Sequence, residues 1–201
     1  MAETGATRRA EIERRSRETS VGVTVDVDGS GTAKASTGVG FLDHMLDAFA
    51  KTAQIDLEVS CVGDLEVEAH HSVEDVGIVL GRALAQALGD RVGIGRYGWA
   101  LLPMDDALVR VALDISGRPY LLWGADLPVH TLGVFRTDLA EEFWRAVAHN
   151  AGWTLHVDLL RYRNTHHALE AIWKACGLAL HTAALHDPRG RGVPSTKGLL
   201  D

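Results

Sequence analysis

The chain has 201 residues, 46% hydrophobic and 23% charged, enough apolar material for a proper core. A formal charge of −7 argues against a broad nucleic-acid footprint, which wants a basic surface. No apolar run approaches the roughly 20 residues of a membrane span, and no apolar stretch follows the early arginines as a signal peptide would require.

Residues 1 to about 17 are polar and charge-mixed, and read as a mobile or surface arm. From Val21 the chain alternates, with Val21, Val23, Val25 and Val27 on one face of a half-buried strand. Asp28-Gly29-Ser30-Gly31 follows as a hairpin signal, then a second strand over Thr32 to Thr37. Phe41 to Ala53 has helical spacing. Ile55 to Val62 alternates again, with Asp64 to Ala69 expected as its antiparallel partner across Gly63. A long helix starts at His70-His71-Ser72-Val73-Glu74 and stops near Gly89-Asp90.

The pattern then restarts. Val109, Val111, Leu113 and Ile115 form a strand closed by Asp114 to Pro119, with a partner strand through Tyr120-Leu121-Leu122-Trp123. Thr137 or Asp138 caps a helix that Gly152 ends, and Trp153 to Leu160 is a strand. The last helix opens at His166-His167-Ala168-Leu169-Glu170 and ends before Asp187-Pro188, leaving a tail with Gly, Pro and Ser.

This is an internal duplication. Asp43–Val59 lies over Glu141–Val157 without a gap, and shortening one loop by two residues brings His70, His71 and Glu74 onto His166, His167 and Glu170. Gly81 meets Gly177, and Asp26-Val27-Asp28-Gly29 meets Asp114-Ile115-Ser116-Gly117. The expected architecture is one α+β domain over 1–201, built from repeats at about 18–92 and 93–187. Each repeat is a small sheet with its helices on one face, and 188–201 forms a tail.

Ten histidines are the one compositional excess, and five of them, His44, His70, His71, His166 and His167, belong to the candidate ligand positions of the repeat. At a helix start, successive side chains diverge by about 100°, so His70 and His71 cannot easily chelate one ion together. Each can share a face with Glu74, three or four residues on. The two HHxxE segments therefore predict two related metal sites, completed by residues from elsewhere. The repeat nominates His44 and its counterpart Glu142. Imidazoles mixed with carboxylates suit Zn, Fe, Ni or Mn rather than calcium. His130, His149, His181 and His186 lack a repeated context and read as structural; His156 could face inward from its strand. Cys61 and Cys176 read as buried free thiols of a cytoplasmic protein.

A second constellation is cationic. Arg96, Arg118, Lys174 and Lys197 sit at element ends, and Pro194-Ser195-Thr196-Lys197-Gly198 has the hydroxyls, charge and close backbone of an anion-binding loop. Glu18 and Asp106 occupy matching repeat positions and, with Asp105, are candidate acid–base groups.

Phe41-Leu42-Asp43-His44-Met45-Leu46, both HHxxE segments, Pro103-Met104-Asp105, Ser116-Gly117-Arg118-Pro119 and Pro194-Ser195-Thr196-Lys197-Gly198 occur in one order. From about Arg14 to Leu200 the chain resembles the imidazoleglycerol-phosphate dehydratase family. The resemblance implies a manganese-dependent lyase of histidine biosynthesis that converts imidazole glycerol phosphate to imidazole acetol phosphate. It implies a fold of the ribosomal protein S5 domain 2-like type, trimers assembling into a 24-subunit shell, and active sites between subunits. It further implies two manganese ions per subunit, with other divalent transition metals as substitutes, held by His44, His70, His71, Glu74, His166, His167 and Glu170.

Glu18, Arg96, Arg118, Lys174, Ser195, Thr196 and Lys197 would contact substrate, the basic ones gripping its phosphate. The metal-binding histidines and glutamates would also face substrate. Family members commonly carry histidine at the position of Glu142, and the chain's Trp144, Trp153 and Trp173 are bulkier than the pattern. The implied chemistry expels the hydroxyl beside the imidazole, with Glu18, Asp105 or Asp106 and a metal-linked residue such as His71 or Glu170 sharing the proton transfers. The competing readings are a dinuclear phosphoester hydrolase and a non-catalytic protein whose metals staple subunits.

Overall fold

The structure, a computed structural model, describes residues 8–187, 190 and 192–200. The first half runs β1 (Arg9–Arg15), β2 (Thr19–Asp26), β3 (Ala33–Ser36), α1 (Gly40–Ala53), β4 (Asp56–Gly63) and α2 (His70–Leu88). The second runs β5 (Tyr97–Met104), β6 (Ala107–Asp114), β7 (Tyr120–Gly124), the short hairpin β8 (Thr131–Leu132) and β9 (Phe135–Arg136), α3 (Leu139–Ala151), β10 (Thr154–Arg161) and α4 (Thr165–Ala184). The two four-stranded sheets have the same topology, β1-β2-β4-β3 and β5-β6-β10-β7. Even the register repeats, with Arg9 opposite Asp26 and Tyr97 opposite Asp114. The duplicated α+β fold is as the sequence reads, with β8–β9 inserted in the second half.

Three local expectations are corrected. Arg9–Arg15 is not an arm but an edge strand antiparallel to β2. Arg9, Glu11, Glu13 and Arg15 face out while Ala10, Ile12 and the half-buried Arg14 take the inner face, a composition that hides an edge strand from a hydrophobic pattern. The first repeat therefore takes in a strand before position 18, and its counterpart β5 lies within the second repeat as bounded. The turns after β2 and β6 are not hairpins, because β3 and β7 cross to pair in parallel with β4 and β10. Asp56 explains the first crossing: at the start of β4 its carboxylate accepts the N–H groups of Ser30 and Thr32 at 2.9 and 3.1 Å. Asp64–Ala69, expected as a strand, is a turn closed by Val67 N–H on the Asp64 carbonyl at 2.8 Å.

Each sheet carries its helices on one face, and the two helical layers pack against each other, α1 on α4 and α2 on α3. Close approach comes from glycines that the repeat aligns. A Cβ on Gly177 would lie 2.6 Å from the Phe49 carbonyl oxygen, and one on Gly81 would lie 2.7 Å from that of Val147. Trp144 and Trp173 fill the space between the layers, their rings 5.5 Å apart and flanked by Phe49, Phe135 and Phe143. Trp153, at the entry to β10, is equally buried. Cys61 and Cys176 are buried free thiols. No described helix is long and apolar enough to cross a membrane.

Candidate metal centre and active site

The α1–α4 contact brings His44 to the first turns of α4. Nitrogens of His44 and His166 and an oxygen of Glu170 lie within 4.8 Å of one another, the one such His/Cys/Asp/Glu group of three or more among the described residues. His44 Nε2 is 3.5 Å and His166 Nε2 3.2 Å from Glu170 Oε2, while Lys174 Nζ donates to Oε1 at 2.7 Å. Glu170 is only 8% exposed. Burial alone would push its carboxyl up, but the Lys174 hydrogen bond and charge, with His44 and His166, outweigh it and hold the pKa below the usual value. One oxygen is thereby committed to Lys174, and the other, with two imidazole nitrogens, forms a donor set that fits a divalent transition ion. Phe41 walls this group, its ring edge-on to His166 at 5.3 Å.

Neighbouring histidines diverge as helix geometry requires: the ring planes of His70 and His71 stand at 83°, and those of His166 and His167 at 85°. The second histidine of each pair rests Nδ1 on a carboxylate. His71 meets Asp64 at 3.0 Å and His167 meets Asp106 at 2.7 Å, which fixes each ring and leaves Nε2 outward. Those outward nitrogens lie near Glu18, at 4.0 Å from His71, and Asp105, at 3.8 Å from His167. Asp106 also accepts the backbone N–H groups of Arg163 and Asn164 at 2.6 and 2.8 Å, so it ties the β5–β6 turn to the start of α4. Asn164 caps that helix, accepting from the backbone N–H groups of His166 and His167.

These contacts set a pH dependence. The Asp64 and Asp106 hydrogen bonds raise the pKa values of His71 and His167, and His167 with the two backbone donors holds Asp106 far below the usual carboxylate range. A raised histidine stabilises the fold below its unfolded pKa and loses that contribution as pH climbs through the folded value. The lowered Asp106 contributes above its unfolded pKa and loses it in acid. Metal-free protein should therefore melt highest between roughly pH 4 and 6.5, and Asp106→Asn should flatten the decline toward pH 8. Thermal melts of chelated protein across that range measure it; an unchanged slope in the variant contradicts the assignment.

The first half does not reproduce the α1–α4 group. His70 Nε2 stands 4.0 Å from Glu74 Oε2, while Glu142, the counterpart of His44, is drawn toward Arg145 at 3.9 Å. Two carboxylates replace one carboxylate and a histidine there, and like charges separate unless a cation lies between them.

The predicted phosphate-gripping residues divide. Lys174 belongs to the Glu170 cluster. Arg96 sits at the opposite end of β5 from Asp105, eight strand residues or roughly 25 Å away. It is paired through two hydrogen bonds with Asp114, donates to the Pro194 carbonyl at 2.9 Å and lies over the Tyr97 ring. Arg118, exposed after β6, and the tail with Ser195, Thr196 and Lys197 belong to that same end. Ser195 Oγ accepts the Lys197 backbone N–H at 3.2 Å, a folded turn with exposed Thr196 and Lys197. One chain thus holds the histidine clusters and the cationic end apart.

His156, for which the strand pattern left an inward orientation open, lies on the outer sheet face against Tyr120, because the neighbouring positions Leu155 and Val157 take the core. Asp64 and Asn164 escaped sequence reasoning. Asp64 has no counterpart across the shortened loop, so the repeat gave it no signal; Asn164 was legible as a cap residue one position before the helix.

The duplicated α+β fold sets acid-and-imidazole clusters at paired helix starts, a donor set of the kind that can hold a divalent ion. The family model described as imidazoleglycerol-phosphate dehydratase matches residues 37–180. Relatives bearing that name include one from Acetivibrio thermocellus, 56% identical over 193 residues that span 96% of this chain and 99% of its own. Another, from Dinoroseobacter shibae, is 55% identical over 194 residues, 96% of this chain and 100% of its own. Crystal structures agree: that of the Staphylococcus aureus imidazoleglycerol-phosphate dehydratase superposes with TM-score 0.81 at 41% identity, covering 89% of this chain and 99% of that one. The Pyrococcus furiosus structure gives 0.79 at 36%, covering 94% and 100%. The chain belongs to the imidazoleglycerol-phosphate dehydratase family.

Proposed function

We propose that this chain, a dehydratase of histidine biosynthesis by its family, dehydrates imidazole glycerol phosphate at a site centred on His44, His166 and Glu170, with manganese as the resident ion. The observation that carries the reading is the convergence of those three side chains from two helices, with Lys174 holding the buried carboxylate ionised. His70, His71, Glu74, Glu142 and His167 would complete the holding of two ions per subunit, and the oxygen of Glu142 suits manganese better than it suits softer metals. A bound divalent ion supplies Lewis acidity that favours negative charge on an imidazole ring.

The chain's own groups do the rest. Asp64 and Asp106 orient His71 and His167. Asp106 has its oxygens engaged by three donors, so Glu18 and Asp105 are the carboxylates free to move a proton beside the ring. Arg118, Lys197 and the turn at Ser195 and Thr196 receive the phosphate, with Arg96 holding the tail in place.

Because those cations lie at the other end of the second sheet, a neighbouring subunit must supply them to the histidine cluster. The outer face of that sheet supports self-association, since Tyr97, Trp99, Leu101, Tyr120 and Leu122 are all exposed, Trp99 by 68%. Trimers within a 24-subunit shell, in the cytoplasm, fit this face. Subunit mixing tests the shared site. Glu170→Gln and Arg118→Ala proteins, each inactive alone, should recover turnover when dissociated and reassembled together; no recovery would place both residues in one subunit's site and contradict the reading.

A further inference from the structure

The duplication provides an internal control for one buried charge. Asp75, next to Glu74 on α2, is 5% exposed, and its Oδ2 accepts from both Arg14 Nη1 on β1 and Thr19 Oγ1 at the start of β2. An ionised carboxylate only accepts, so the Thr19 hydroxyl hydrogen points at Asp75 and its oxygen receives the Ser16 hydroxyl at 3.3 Å. Ser16 Oγ in turn accepts the backbone N–H groups of Glu18 at 3.1 Å and Thr19 at 3.0 Å. The chain of hydrogen bonds begins on the helix that carries His71 and ends on the amide of Glu18, whose carboxylate stands 4.0 Å from His71 Nε2.

In the second half the three corresponding positions are Leu102, Ala107 and Ala171, an apolar set, and the β5–β6 turn is held instead by Asp106 on the backbone of Arg163 and Asn164. An apolar set thus packs the same fold, and a buried ion pair is often no more stable than such a replacement. Packing alone therefore does not account for the ionic set. Each half thus sets a carboxylate near its second histidine by a different device, the second through Asp106 with Asp105 at 3.8 Å from His167, the first through the ionic set with Glu18 at 4.0 Å from His71.

We infer that Asp75 is a positioning residue that, through Thr19 and Ser16, holds Glu18 in register with His71. The inference rests on the acid–base role proposed for Glu18. It fixes a lever that reaches the reacting region without touching substrate.

The test transplants the second half's residues into the first, as Arg14→Leu, Thr19→Ala and Asp75→Ala together, in the assembled manganese-loaded enzyme. The variant should keep its fold, metal content and KM while kcat falls about 10- to 100-fold, the scale of a misplacement near 1 Å. In a Glu18→Gln background the same three changes should cost nothing further. Thr19→Val, which removes only the hydroxyl link, should show the same split should the triple variant not fold, and faster hydrogen exchange at the Glu18 amide should accompany it. Normal kcat in both variants, or a loss that adds in full to that of Glu18→Gln, overturns the positioning role while leaving Glu18 untouched. Full turnover in Glu18→Gln alone overturns the acid–base role and this inference with it.

Discussion

Glu170→Gln should reduce turnover by about 10³-fold or more, because Lewis-acid stabilisation is worth several kcal/mol and each 1.4 kcal/mol is a factor of ten. The amide keeps the shape and leaves the fold intact, but it offers Lys174 no charge and the ion a weaker oxygen. His44 and His166 would remain beside a Lys174 that has lost its carboxylate partner, a poor cation site. Metal retained after gel filtration should fall together with kcat. A variant that keeps full metal content and full kcat would remove Glu170 from the centre.

Gly177→Ala should be nearly as damaging, although it lies seven residues, or roughly 10 Å along the helix, from Glu170. A methyl group there meets the Thr52 hydroxyl at 2.2 Å, the Phe49 carbonyl oxygen at 2.6 Å and the Ala53 nitrogen at 3.0 Å. Two of these are backbone atoms that cannot rotate away, so α1 must move off α4. Overpacking of this kind costs about 1–3 kcal/mol of stability. Because His44 rides on α1 while His166 and Glu170 ride on α4, the same movement opens the ligand group. Lowered melting temperature with lost metal affinity is the expected pair. Unchanged metal affinity in a destabilised variant would show that the helix contact does not set the site.

What was legible in the sequence follows the physics of each signal. The HHxxE pairs, His44 and the aligned glycines repeat, and repetition is a long-range signal that survives without coordinates. The α1–α4 neighbourhood that joins His44 to His166 and Glu170 is not periodic, and it depends on helix contact through Gly177, whose role appears only when backbones are placed. Arg9–Arg15 and Tyr97–Met104 were missed as strands because edge positions invert the usual pattern, one being charged outward and the other aromatic outward. The turns at Asp28 and Ser116 carry hairpin residues yet lead to crossovers, because a later strand, β4 or β10, inserts between the expected partners. Glu18 and Asp106 align in the repeat but differ in what they touch: Asp106 is spent on His167 and two amides, whereas Glu18 stays open toward His71. Sequence symmetry located these carboxylates; only geometry separated their work.

A divalent ion held by His44, His166 and Glu170 and acting on imidazole glycerol phosphate is the centre of the proposed reaction. The direct measurement is a dehydration assay with that compound on chelated enzyme, followed by addition of manganese. Turnover should be absent after chelation and return with the metal. Turnover that persists in fully metal-free enzyme, or none once manganese is restored to folded and assembled protein, would contradict it.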